Sequence, residues 1–174
     1  MVISSILALV LAQATAASAT PSFSAYKTAC LDTQADPAAI RAAASAAKWQ
    51  ALTQEEKEAI APGNPDGVEG WAIAQGAGRL QVSIVSGALK GGLASGAQST
   101  CTLTAPQGDD EALIKAYSTH LKRNPSENAN DAGLRTAVWS VSAQNARAMH
   151  YYFGGAGAAA NSSTFSITII RQQN

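Results

Sequence analysis

Two segments of this chain, residues 71–87 and 139–155, carry matching residues at matching intervals. Each has a Trp (Trp71, Trp139), an aliphatic residue two places on (Ile73, Val141), an Arg eight places on (Arg79, Arg147) and a Gly eight further (Gly87, Gly155). Strand length and turn length together set the spacing within a β-hairpin, so equal spacing places equivalent side chains on equivalent faces. The pattern predicts two αβββ pseudo-repeats in one domain. Trp71 and Trp139 each open the first strand of a half, and a helix from Pro37 corresponds to a helix from Asp109. Gln75 lies four residues after Trp71 and Gln144 five after Trp139, which predicts unlike turns.

Periodicity fills in the elements. Asp36 and Pro37 form an N-cap and first helical position, and the Ala-rich run behind them predicts a helix over 37–49 with Ile40, Ala44 and Ala47 on its narrow apolar face. Thr53 and Glu56 have capping-box spacing and predict a short second helix ending before Pro62. Asp109, Asp110 and Glu111 at one end and Lys122 and Arg123 at the other bracket a third helix, with Leu113, Ala116, Tyr117, His120 and Leu121 as its buried stripe. Alternating runs predict strands at 71–74, 79–86, 98–104, 134–141, 147–153 and 164–171, with loops at 87–96 and 124–133. The fold class is therefore α+β: a six-stranded, mainly antiparallel sheet with its helices on one face. Its other face is expected to be polar, lined by Gln, Ser and Thr together with His150 and Tyr152.

The start of the chain gives an address. An apolar run over 2–12, too short to span a bilayer, precedes A-T-A-A-S-A. This predicts a signal peptide over 1–19, cleaved after Ala19, and a single domain over 20–174. A buried N-terminal helix is the alternative. The expected location is periplasmic or secreted, with no membrane span left after signal removal. Cys30 and Cys101 are the only cysteines, and an even count in an exported chain favours a disulfide between them. Two free thiols, or a lipid anchor on Cys30, are the alternatives. Cys101 alternates with Thr100 and Thr102, which puts it on the core side of its strand.

Charge excludes one class of partner. Twelve basic and twelve acidic residues cancel, and Lys122–Arg123 is the longest basic run, so nothing supplies a phosphate-backbone footprint. Catalytic motifs do not assemble either. Residues 155–160 fit the G-x-G-x-x-A pattern, but a strand follows where a dinucleotide site needs a helix. His120 and His150 are the only histidines and are grouped with no further metal ligands, so neither a metal nor another cofactor is expected. His120, near a helix end, fits a role at the helix dipole. His150 beside Tyr152 is the catalytic candidate, with no carboxylate or nucleophile tied to it by spacing. Arg79 and Arg147 could flank one groove and bind an anion if the halves pack symmetrically. Asn161-Ser162-Ser163 matches the N-glycosylation pattern.

Tyr26 four residues before Cys30, an Ala-rich helix ending near Trp49, and the later Cys101 give the chain a resemblance to small exported two-cysteine proteobacterial proteins of unknown function. The resemblance implies export and a disulfide, and carries no activity. Three readings of function follow. The first is a non-enzymatic periplasmic or secreted binding module for an envelope or extracellular protein or a small ligand. The second is a small hydrolase or transferase using His150 and Tyr152 in a cleft, and the third an envelope assembly component bound through a sheet edge. A carboxylate beside His150 in a deep pocket would favour the enzyme; an open edge strand would favour binding.

Overall fold

A computed structural model describes residues 20–76, 78–89, 96–143, 146–155 and 161–172. The expected signal segment 1–19 lies outside the described residues, as does most of the glycine-rich run 155–160. Pro21–Tyr26 (α1) starts on its Pro and runs on into a π-helical turn, Lys27–Leu31, that buries Ala29, Cys30 and Leu31. Asp36 caps Pro37–Ala46 (α2) by accepting from the Ala39 amide at 2.8 Å. The Thr53–Glu56 capping box is fully formed ahead of Gln54–Ile60 (α3). Asp109 caps Asp110–Leu121 (α4) by accepting from the Ala112 amide.

The strands are Gln50–Ala51 (β1), Val68–Gln75 (β2), Gly78–Leu89 (β3), Gly96–Pro106 (β4), Glu127–Asp131 (β5), Leu134–Ala143 (β6), Ala146–Gly155 (β7) and Ser162–Gln172 (β8). They form one antiparallel sheet in the order β1-β2-β3-β4-β8-β7-β6-β5. The sheet thus has eight strands, not the expected six. The two additions are the outermost strands, β1 and β5, whose residues are exposed throughout and show no apolar alternation. Both stretches of expected loop next to the sheet also pair: residues 87–89 continue β3 against 96–98, and 127–131 become β5.

Register carries the internal spacing seen in the sequence. A shift of 68 residues takes Trp71↔Val82 onto Trp139↔His150, Ala74↔Arg79 onto Ser142↔Arg147, and Gln75↔Gly78 onto Ala143↔Ala146, so the turns are alike in length. Trp71 and Trp139 lie on the same, helix-covered face, packed with the core. Beyond the hairpins the shift becomes 64, since Gln81↔Thr104 corresponds to Met149↔Thr168. The two halves meet where β4 pairs antiparallel with β8, and the symmetric point is Thr102↔Ser166. Around it the hydroxyls of Thr100 and Thr168 meet at 2.9 Å and those of Thr102 and Ser166 at 3.1 Å.

One face of the sheet makes the core. Leu80, Val82 and Ile84 of β3, Cys101 and Leu103 of β4, and Phe165 and Ile167 of β8 pack under Phe23, Tyr26, Ile40, Leu113 and Tyr117. Cys30 and Cys101 are bonded, with their Cα atoms 5.5 Å apart, which fastens the π-helical turn to a central strand. The helices do not all share this face. Glu56 of α3 reaches Arg79 and Gln81, whose side chains alternate with core-facing Leu80, so α3 lies on the opposite side. There Leu52, Val68 and Ala72 are buried apart from the main core. Gly70 lets this small cluster pack closely, since a Cβ there would meet the Leu52 side chain at 2.5 Å and displace it.

Candidate functional site

The expected catalytic pair is placed differently from its prediction. His150 pairs with Trp139 and Ile167, and Tyr152 pairs with Phe165, so both face the helices and the core instead of the polar side. The bulky apolar residues of β7 on the open side are Met149, Tyr151 and Phe153. Both parities of this strand are bulky, which is why alternation alone misassigned them. The 68-residue shift carried the signal, because it maps Val82 and Ile84 of the apolar face onto His150 and Tyr152.

His150 is 4% exposed, and its Nδ1 lies 2.9 Å from the Tyr117 hydroxyl. That hydroxyl in turn lies 2.6 Å from the hydroxyl of Tyr26. Burial, helped by the nearby charges of His120 and Arg123, holds the imidazole down to about 4. At neutral pH the ring is therefore uncharged, and its Nδ1 is hydrogen-bonded to Tyr117, whose hydroxyl is also hydrogen-bonded to that of Tyr26. Burial pushes both tyrosines well above their ordinary range. The three groups form a closed chain that holds α1, α4 and β7 together.

Tyr152 belongs to a separate cluster. Its hydroxyl donates to Asp110 Oδ1 at 2.5 Å and lies 3.2 Å from Ser163 Oγ, and Ser163 Oγ accepts from the Gly108 amide. Burial, and then the bond to Asp110, raises the Tyr152 hydroxyl above its usual range. This cluster pins the first turn of α4 to β7 and β8. Ser163 is fully buried in it, while Asn161 of the glycosylation pattern is exposed with φ of 70°. His150 and Tyr152 thus share a face but have different partners, and the carboxylate present bonds Tyr152 alone.

The two arginines do not flank one groove. The register row from Gln81 runs through Thr104 and Thr164 to Phe153, six residues from Arg147, while Arg79 lies two residues beyond Gln81 in the other direction. They are roughly 27 Å apart along the strands at about 3.4 Å per residue. Because β3 and β7 run antiparallel to one another across β4 and β8, the two hairpin turns lie at opposite ends of the strands. Arg79 is also paired with Glu56, whose carboxyl is held down to about 2 chiefly by that guanidinium. His120, in the last turn of α4, sits with its ring 6.2 Å from Phe23, and burial, then the charge of Lys27, lowers its pKa from the ordinary value. Among the described residues no group of three or more His, Cys, Asp or Glu is placed to hold a metal ion.

Open space lies elsewhere. A groove of about 690 Å³ runs between the outer side of α4 and β5, with Lys115, Ser118, Lys122, Arg123 and Asn128 among its lining. β5 is the last strand of the sheet and all five of its residues are exposed. It is held by β6 through the two-residue turn Ala132–Gly133, at φ of 48° and 84°, where Gly133 supplies the second positive φ that such a turn demands. That turn makes Asp131 and Leu134 the closing hydrogen-bonded pair. By alternation Glu127, Ala129 and Asp131 direct their backbone groups to β6, whereas Asn128 and Asn130 direct theirs away from the sheet. The equivalent place in the first half, a groove of about 390 Å³ lined by Lys48, Trp49, Gln50 and Ile73, is walled by the two-residue β1. Both grooves lie where a helix ends with a left-handed Lys, Lys48 or Lys122. Comparison with known protein families, with curated proteins and with solved structures finds no match to this chain.

Proposed function

We propose that the protein is exported, oxidised at Cys30–Cys101, and works as a non-enzymatic binding module that takes its partner at the β5 side of the sheet. The observation that carries this reading is the juxtaposition of an edge strand exposed along its whole length with a groove beneath α4. Unpaired edge backbone is a template for another strand, and proteins that bind by strand addition use it so. The disulfide supports work in an oxidising compartment. No helix among the described residues is long and apolar enough to cross a membrane. The enzyme reading loses its support because His150 is shut into a chain of tyrosines with no carboxylate bonded to it.

The test is affinity capture on the oxidised protein from the envelope fraction of the cells that make it, alongside N-terminal sequencing of the exported form. The mature chain should start at Thr20. A specific partner should be retained by the parent protein and by Lys57→Glu on α3, and lost from Lys115→Glu/Lys122→Glu. Retention indifferent to the α4 lysines, or a reaction lost on His150→Asn, would overturn the reading.

A further inference from the structure

We infer that the edge site accepts an extended, acidic segment of a partner protein, with its carboxylates on alternate residues pointing under α4. The inference rests on the binding reading above and specifies the partner's chemistry. Asn128 pairs with Ala137, a core-facing residue of β6, so Asn128 and Asn130 project on the helix side and Glu127, Ala129 and Asp131 on the open side. A strand added to β5 meets the outward backbone groups of Asn128 and Asn130, and its own side chains divide between the same two sides.

The two sides differ in charge. On the helix side the added strand faces Lys115, Lys122 and Arg123. The acid of that wall, Glu111, is already engaged by Arg135, and Arg123 keeps its charge while donating to the Ser140 carbonyl. On the open side it lies beside Glu127 and Asp131, so a carboxylate there meets like charge. An added strand therefore suits the site when every second residue is Glu or Asp and the residues between are neutral. Electrostatic complementarity of this kind fixes register and suppresses wrong partners more than it adds affinity.

The experiment uses three blocked, fluorescein-labelled octapeptides on the oxidised protein: alternating Thr and Glu, alternating Thr and Lys, and the Thr/Glu peptide N-methylated at alternate peptide bonds. Anisotropy gives affinity, and amide hydrogen exchange gives location. The Thr/Glu peptide should bind about ten-fold more tightly than the Thr/Lys peptide, and Lys115→Glu/Lys122→Glu should remove that preference. N-methylation should weaken binding at least about ten-fold, since it removes ladder hydrogen bonds and leaves the charges in place. Exchange should slow at Asn128 and Asn130. Asn130→Pro repeats the backbone test from the protein side, and the N-methylated probe does so with the protein unaltered. Equal binding of the acidic and basic peptides, indifference to N-methylation, or failure of every peptide to bind overturns the inference. If capture from the envelope fraction still yields a partner sensitive to the α4 lysines, only the acidic-strand inference falls; if capture fails too, the binding reading falls with it.

Discussion

Tyr117 occupies the middle of the buried chain, and deleting its hydroxyl should cost far more than deleting the one at the end. Tyr117→Phe leaves two groups without partners, the Tyr26 hydroxyl and His150 Nδ1, in residues 0% and 4% exposed. An orphaned buried polar group costs about 1–3 kcal/mol, so the substitution should destabilise by about 3 kcal/mol. Tyr26→Phe removes only one bond and leaves Tyr117 bonded to His150, at about 1 kcal/mol. The double variant orphans His150 alone and should cost less than the sum of the two, a coupling of about 1–2 kcal/mol. Urea denaturation of the oxidised protein, followed by far-UV circular dichroism, measures all three. On heating, Tyr117→Phe should lower the midpoint by roughly 6–12 °C for a domain of this size. If Tyr117→Phe proves no worse than Tyr26→Phe, or if the two effects simply add, the hydroxyls do not act as a chain and the reasoning is wrong.

The His150 imidazole is held down to about 4, below its ordinary value near 6.5, so the unfolded chain takes up a proton in that interval before the folded one does. Stability from this group is fully present above pH 6.5 and is lost as pH falls towards 4. The loss is about 3 kcal/mol at most, and a His150→Asn variant should show a flatter stability profile across that window. Removing the disulfide with Cys30→Ala/Cys101→Ala, which opens a link spanning 71 residues, should cost about 4 kcal/mol. Thiol titration of the unreduced, denatured parent should find no free thiol, and two per chain would refute the bond. Gly154→Ala would push a methyl group into Asp110 and the Tyr152 hydroxyl. A loss of about 2 kcal/mol or more by urea titration is expected, and a neutral result would show that the Tyr152–Asp110 contact carries little.

Local chemistry was legible in the residues themselves. Asp36, the Thr53–Glu56 box and Asp109 are caps whose donors and acceptors lie within three residues, so each helix start could be read from its own neighbourhood. Alternation along β4 put Cys101 on the core side, and the spacing from Trp71 and Trp139 fixed two hairpins of identical register. The tertiary structure alone decided what depends on residues far apart. β5 reads Glu-Asn-Ala-Asn-Asp, with no apolar alternation, and it is a strand because β6 supplies its hydrogen bonds; Asp131-Ala132-Gly133 was its only local sign. Periodicity marks which side chains of a strand share a face, but the burying partner decides which face is which, so Met149, Tyr151 and Phe153 stayed outside while His150 and Tyr152 went under α4. The same dependence put α3 on the open face, and it moved Arg79 and Arg147 to opposite ends of the sheet. In each case the deciding interaction spans tens of residues, a distance over which sequence pattern carries parity and spacing but not position in space.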